Sequence, residues 1–75
     1  MRSRPWVSVV IDPVNHAAFV GGWKARELVV ACGGRPLWSR RRQSWSTSEK
    51  TAIDVLAMAE RDGLAVRYER IGDDS

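Results

Sequence analysis

The segment Trp38–Trp45, WSRRRQSW, places three consecutive arginines between two tryptophans. Guanidinium groups bind phosphates and aromatic rings stack on bases, so this composition is typical of nucleic-acid binding. On a regular strand Trp38 and Trp45 would point to opposite faces, because they are seven residues apart. We therefore expect Trp45 in the core. Trp38, Arg40 and Arg42 would then form an aromatic and cationic row on an open face.

The same segment also has an ordinary structural explanation. Trp38 would pack beneath the aliphatic stems of the arginines, and the charges would keep the edge of a hairpin soluble and unpaired. Three arginines are a loose match to the basic patches that bind nucleic acid. The sequence leaves both explanations open.

His16 and Cys32 are the only histidine and the only cysteine in the chain. Nucleophilic catalysis needs such a pair in hydrogen-bond contact and a third group that orients the base, and the spacing indicates neither. A metal site needs three or four ligands, and these two residues are too few. The two Gly-Gly pairs lack the Lys-Ser/Thr of a phosphate-binding loop. We expect no catalytic residues, no metal, no cofactor and no small-molecule substrate.

The length and the cysteine content limit the class of protein. A chain of 75 residues allows one domain with a thin core, so we expect a single domain over 1–75 with a frayed tail at 72–75. A lone cysteine cannot form a disulfide within the chain, which indicates a reducing cytoplasm. The apolar run over 6–11 is too short for a signal peptide, and no segment predicts a transmembrane helix.

The net charge of +3 is unevenly distributed along the chain. Residues 1–45 carry eight Lys/Arg against two carboxylates, which gives +6, and residues 46–75 carry four against seven, which gives −3. A polyanion would be attracted to the first part and repelled by the second. Two copies of the chain could also attract one another.

Two strands are predicted near the start of the chain. The β-branched run over 6–11 alternates, with its odd-numbered residues on one face and Trp6 and Val10 on the other. We expect this strand to be central in the sheet. Turn-forming residues at 12–15 then reverse the chain into a short return strand over 17–20.

Helix and strand compete for residues 23–32. Apolar residues scatter around a helical wheel there but line one face of a strand, so we interpret the segment as a strand from Arg26 onward. Gly33-Gly34 would then form a tight hairpin turn into a second arm over 37–44.

A helix is predicted from a capping box in which Ser46 and Glu49 satisfy each other's backbone amides. It should run to Asp62 and end at Gly63, with Leu64 packing back on the last turn. Its expected apolar arc contains Ala52, Ile53, Val55, Leu56 and Ala59.

A final strand over 65–71 follows, with Val66 and Tyr68 on one face. The helix is then a crossover that returns this strand roughly parallel to the 37–44 arm. The predicted fold is an α+β two-layer sandwich, with a mostly antiparallel sheet of about four strands and one helix in the order β-β-β-α-β. One face of the sheet is left solvated or covered by a partner.

The second half of the chain resembles a group of known sequences. The layout W......WST....AIDVLAMAERDGLAV is similar to that of small proteins without an assigned function that are common in actinobacteria and their phages. The resemblance covers about half of the chain, and Ser44 replaces an expected glycine. It implies no activity. It suggests a cytoplasmic accessory protein, which a phage would express to act on a host or phage component. The residues that match are Trp38, Trp45, Thr47, Ala52, Asp54, Leu56, Ala57, Glu60 and Gly63.

Two functional hypotheses follow, both for a small non-enzymatic binding module. In the first, the protein binds DNA or RNA through the Arg/Trp hairpin. In the second, it binds another protein or a second copy of itself through the uncovered sheet face or an exposed strand edge. The acidic helix disfavours wrapping by nucleic acid, whereas a small chain gains stability from burying a face in a dimer. The residues that we expect to bind the partner are Arg35, Trp38, Arg40, Arg41, Arg42 and Trp6.

Overall fold

Residues 5–72, which the computed structural model describes, form five strands and two helices. The elements are β1 (Trp6–Asp12), β2 (Ala17–Gly22), α1 (Ala25–Ala31), β3 (Leu37–Ser39), β4 (Ser44–Thr47), α2 (Glu49–Arg61) and β5 (Ala65–Arg70). The strand order is β3-β4-β2-β1-β5, and among these neighbours β1 and β5 pair in parallel while the other pairs are antiparallel. The α+β class is confirmed. The sheet has one strand more than predicted, and there is a second helix.

The first two strands agree with the sequence pattern. Val7 and Val9 are fully buried and Ile11 nearly so, because alternation points all three toward the helices. Strand β1 lies between β2 and β5, which confirms its predicted central position. The turn after β1 is closed by the backbone N–H of Asn15, which donates to Asp12 Oδ1 at 3.2 Å.

Helix α1 occupies a segment that the sequence analysis interpreted as a strand. Ala25, Leu28 and Val29 are buried, which is the spacing of one helical face, while Val30 is 50% exposed. A strand would have pointed Leu28 and Val30 to the same side. Local alternation was therefore a misleading guide in this short apolar run, where burial against the sheet selects the helix.

The two glycines after α1 end this helix and do not form a hairpin turn. Gly33 N–H donates to Val30 O at 2.9 Å, and Gly34 N–H donates to Val29 O at 3.0 Å. Gly33 has a φ of +85°, which is the left-handed conformation found after many helices. The positive φ that favoured a hairpin in the sequence is thus used to stop a helix.

The predicted single arm over 37–44 contains β3, a turn and only the first residue of β4. Ser39 pairs with Ser44, and residues 40–43 form a four-residue turn in which Gln43 has a φ of +53°. Trp38 consequently pairs directly with Trp45. The expectation that these tryptophans lie on opposite faces is wrong, because the chain reverses between them and makes them cross-strand partners on one face.

Helix α2 begins two residues later than its predicted capping box. Its N-cap is Ser48, whose Oγ accepts a hydrogen bond from Thr51 N–H at 3.2 Å. Ser46 belongs to β4 instead, where it pairs with Phe19 and Leu37. The predicted cap is wrong because the sheet ladder occupies its first residue.

The end of α2 is confirmed. Gly63 has a φ of +77°, and Leu64 N–H donates to Ala59 O at 2.9 Å, which closes the helix. Leu64 also packs against the core. Ile53 is the exception to the predicted apolar arc, since it is 46% exposed.

Both helices are crossover connections on the same side of the sheet. Strand β5 runs parallel to β1 and β4, and antiparallel to β3. The prediction that it is parallel to the 37–44 arm is wrong, because the strand of that arm is β3 and the chain reverses at 40–43 before β4 begins. Of the predicted tail, 73–75 lie outside the described residues. The core between helices and sheet consists of Val7, Val9, Ile11, Ala18, Val20, Ala25, Leu28, Val29, Ala52, Val55 and Ala59.

Candidate nucleic-acid interface

The side of the sheet opposite the helices, here called the open face, is covered by no element of the described residues. It contains large exposed side chains at both ends: Trp6 is 52% exposed and Leu37 is 68% exposed. Alternation and register assign to it Trp6, Ser8, Val10, Asp12, Ala17, Phe19, Gly21, Leu37, Ser39, Ser44, Ser46, Ala65, Arg67 and Glu69.

The strand register orders these side chains in two rows that cross the sheet. The first row is Leu37, Ser46, Phe19, Val10 and Glu69. The second, here called the serine row, is Ser39, Ser44, Gly21, Ser8 and Arg67. A polar row thus runs across five strands, with the aromatic ring of Phe19 on one side of it and that of Trp6 on the other.

Gly21 keeps the centre of the serine row shallow. A Cβ at this position would lie 3.0 Å from Ser8 Oγ and 3.4 Å from Ser44 Cβ. A glycine inside a strand often marks a place where a ligand or another backbone approaches the sheet closely. At the centre of the serine row Gly21 and Ser44 are buried, whereas Ser8 and Ser39 on either side of them are partly exposed.

The turn between β3 and β4 places an arginine over the open face. The Arg42 guanidinium carbon lies 5.2 Å from the centroid of the Phe19 ring, which is a cation–π contact. The backbone N–H of Arg42 donates to Ser39 Oγ at 3.2 Å, and this bond ties the turn to its strand. A guanidinium plane and an aromatic ring are thereby combined at one end of the open face.

A cleft of about 390 Å³ lies between this turn and the turn that follows β1. It combines two guanidinium groups, an aromatic ring, a carboxylate and two further polar side chains. Its lining residues are Asp12, Asn15, Ala17, Phe19, Ser39, Arg41 and Arg42.

Asp12 is the acidic group of this cleft, and it is only 7% exposed. The Asn15 side-chain amide donates to Asp12 Oδ2 at 2.8 Å. This bond, with smaller contributions from backbone amides and from the charge of Arg42, outweighs desolvation and lowers the pKa of Asp12 below its ordinary value. The carboxylate is therefore ionised at neutral pH.

The structure brings three of the six predicted binding residues to the open face. Arg41 and Arg42 line the cleft, and Trp6 lies at the other end of the face beside Arg67. Arg40 is exposed in the turn. Arg35 precedes β3 and lines a separate cleft.

Trp38 does not belong to this surface, so the predicted row of Trp38, Arg40 and Arg42 is not formed. Its ring lies 5.0 Å from that of Trp45, with the planes inclined at 66°. Trp45 packs against the core, as predicted, and the Arg26 guanidinium carbon lies 5.9 Å from its ring. The tryptophan pair is therefore on the helix side of the sheet.

Two residues of the cleft were missed by the sequence analysis. Phe19 was assigned to a strand without a role, although alternation with Ala18 and Val20 is a signal that its ring faces away from the core. Asp12 was interpreted only as a turn former. It does form the turn, and the same carboxylate also lines the cleft.

His16 and Cys32 line different clefts. Burial raises the pKa of the Cys32 thiol, and Asp54 adds to this effect, so the reactive thiolate is disfavoured. Within 5–72 there is no group of three or more His, Cys, Asp or Glu side chains placed to hold a metal ion.

Comparison of the chain with protein-family models, curated proteins and solved structures finds no match. The resemblance to actinobacterial and phage proteins stays a prediction. Neither helix of the described part of the chain is long and apolar enough to cross a membrane.

Proposed function

We propose that the protein binds single-stranded DNA or RNA on the open face of its sheet. The observation that supports this most directly is the Phe19 ring beneath the Arg42 guanidinium, beside Arg41, on a face that the helices leave uncovered. Proteins that bind single strands combine aromatic rings, on which bases stack, with cationic groups that neutralise phosphates. The open face supplies both.

The binding path follows from the two rows. Bases stack on Trp6 and on the Arg42 guanidinium, which itself lies over Phe19. These two positions lie toward opposite ends of β1, because Phe19 pairs with Val10. Four residues of strand separate Trp6 from Val10, which corresponds to about 13 Å. The sugar-phosphate backbone crosses the serine row between them, where hydroxyl groups donate to phosphate oxygens.

Arginines at both ends of the serine row supply the positive charge. Arg41 and Arg42 lie at the β3 end, and Arg67 lies at the β5 end. Each phosphate that an arginine neutralises releases condensed counterions, which favours binding at low salt. The arginines bind any sequence, because phosphates are the same at every nucleotide.

A single strand fits this surface better than a duplex. The face is a sheet surface with the exposed ring of Trp6 at one end and the exposed Arg42 at the other, and such groups stack only on bases that are not already stacked inside a helix. The acidic α2 does not oppose binding as its sequence suggested, since it packs on the other side of the sheet. Screening over about 8 Å at physiological salt further weakens its field at the open face.

We further propose that the protein is a non-enzymatic binding module located in the cytoplasm. The single cysteine fits a reducing compartment. The raised pKa of the Cys32 thiol and its separation from His16 give no support to nucleophilic catalysis.

A second candidate function is self-association or protein binding through the same face. It is favoured by the exposed apolar side chains Trp6 and Leu37, with half-buried Val10 between the two edges. Burial of these groups against a second copy would remove apolar area from water.

The experiment is an anisotropy titration of labelled oligonucleotides of about ten residues at several salt concentrations. The double change Arg41→Gln and Arg42→Gln should weaken binding and reduce the salt slope by about 0.7 for each phosphate that is no longer neutralised. The control is Lys50→Gln with Arg61→Gln, which removes the same charge from α2 and should change the slope little.

Absence of binding by the wild-type protein at low salt would contradict the proposal. A dimer in sedimentation that Trp6→Ala dissociates, together with no binding to oligonucleotides, would favour the second candidate.

A further inference from the structure

The cleft beside Phe19 contains a feature that phosphate binding does not require. Asp12 is a carboxylate among arginines, at the place where a polyanion is proposed to bind. A carboxylate repels phosphate and accepts hydrogen bonds from N–H groups. The carboxylate of Asp12 is therefore suited to accept hydrogen bonds from the N–H groups on the edge of a base.

We propose that this cleft receives a guanine base of the bound single strand and that Asp12 accepts hydrogen bonds from its N1–H and N2–H groups. The inference rests on the proposed function and adds a base preference to it. Phe19 and the Arg42 guanidinium provide the stacking surface for the base, and Arg41 faces the adjacent phosphate.

The choice of guanine follows from the donors on each base. An ionised carboxylate offers two adjacent acceptors and no donor. Guanine has two adjacent N–H donors on its pairing edge. Adenine and cytosine have one amino donor beside a ring nitrogen that accepts, and uracil or thymine has one N–H between two carbonyls. Only guanine matches both carboxylate oxygens without placing an acceptor against one of them.

The geometry of Asp12 leaves room for these bonds. Its Oδ1 and Oδ2 each accept one hydrogen bond from Asn15, at 3.2 Å and 2.8 Å. Each oxygen of an ionised carboxylate has about two acceptor sites, so one site on each oxygen is free of Asn15, and the backbone N–H of Val14 lies close enough to the carboxylate to compete for one of them. The two bonds also fix the orientation of the carboxylate, which lowers the cost of ordering it around a ligand.

The surroundings favour recognition at this place over recognition elsewhere on the face. Asp12 is nearly buried and lines a cleft whose volume is about 390 Å³, within the range of about 300–1,000 Å³ found for small-ligand sites. Trp6 has no carboxylate among the residues of its shallow pocket, so it stacks on any base.

The test compares oligouridine probes that carry one central guanine, adenine, cytosine or inosine. The wild-type protein should bind the guanine probe about five- to a hundredfold more tightly than the adenine and cytosine probes. Inosine retains N1–H and lacks the amino group, so its probe should fall between them. This part of the test needs no variant and does not depend on the folding of one.

Asp12→Asn is the matched variant, because an asparagine can also accept the Asn15 backbone N–H and keep the turn. It should remove the guanine preference, so that the ratio of the affinities for the guanine and adenine probes falls toward one whatever happens to the absolute affinities. A single cooperative thermal transition well above the temperature of the titration checks that the variant is folded.

Binding of all probes with equal affinity, or a guanine preference that Asp12→Asn retains, would overturn the guanine assignment and leave the proposed function intact. Binding of guanosine monophosphate as tight as that of the guanine probe would assign the cleft to a free nucleotide. Failure of every probe to bind at low salt would overturn both proposals.

Discussion

Trp38 and Trp45 are direct cross-strand partners whose ring centroids lie 5.0 Å apart. Both rings lie on the helix side of the sheet, where Arg26 of α1 is placed over Trp45. The turn between them directs Arg42 to the other side, over Phe19. The two sides of this short hairpin thus have different roles. Its tryptophans pack against each other and stabilise it, and its turn arginines lie on the side of the proposed ligand.

The first prediction concerns the tryptophan pair. Trp38→Ala should lower the free energy of unfolding by about 1–2 kcal/mol, because it removes an edge-to-face aromatic contact and its half-buried area. The affinity for oligonucleotides should stay within about twofold at a temperature well below the melting point. Chemical denaturation and anisotropy titration measure the two quantities. A large decrease in affinity with an unchanged denaturation curve would move the binding surface to the helix side.

The second prediction concerns the start of α2. Ser48→Ala should lower the free energy of unfolding by about 1 kcal/mol, since it removes the side-chain acceptor of the Thr51 amide. Ser46→Ala is the control and should cost less, because Ser46 lies in β4 and caps no helix. A larger effect of Ser46→Ala would show that the helix begins at the capping box that the sequence predicts.

The elements that were predicted correctly have apolar residues at a regular spacing and a residue that clearly marks their end. Strand β1 alternates fully and is followed by turn residues, and the end of α2 is marked by Gly63. Helix α1 was missed because its short apolar run is compatible with the residue spacing of a helix and with that of a strand. Gly33-Gly34 is likewise compatible with a hairpin turn and with a helix end. The β3–β4 turn contains no Gly, Pro, Asn or Asp, so nothing in its residue types indicated that Gln43 takes a positive φ.

The candidate site could be predicted only in part for a related reason. The turn arginines are conspicuous in the sequence, and Arg41 and Arg42 do line the cleft. The ring beneath Arg42 belongs to β2, far along the chain, and only the fold brings it there. Trp38 was assigned to the wrong face because that assignment depended on the unrecognised turn.

The third prediction is a pH dependence that belongs to Asp12. Its pKa is lowered from 3.8 in the folded protein, chiefly by the hydrogen bond from Asn15 and also by Arg42. A depressed carboxylate pKa stabilises the fold above the unfolded-state pKa, and this contribution disappears as pH falls through the folded-state pKa. The stability difference between wild type and Asp12→Asn should therefore shrink as the pH is lowered from about 6 to about 2. A difference that is constant over this range in urea titrations would contradict the account.

The fourth prediction concerns the thiol of Cys32. Because burial raises its pKa, iodoacetamide should modify the folded protein more slowly than the unfolded protein at neutral pH. Cys32→Ser should leave oligonucleotide binding intact. Loss of binding in this variant with an unchanged melting curve would assign the thiol a functional role.

The most direct test of the open face as the binding surface is a nuclear magnetic resonance titration of labelled protein with a single-stranded oligonucleotide at low salt. We predict that chemical-shift changes concentrate in the serine row, in Phe19 and in the side chains of Arg41 and Arg42. The backbone amide resonances of α2, for example those of Lys50 and Asp54, should not shift. Changes that cluster on α2 or around Trp38, or no changes at all, would contradict this prediction.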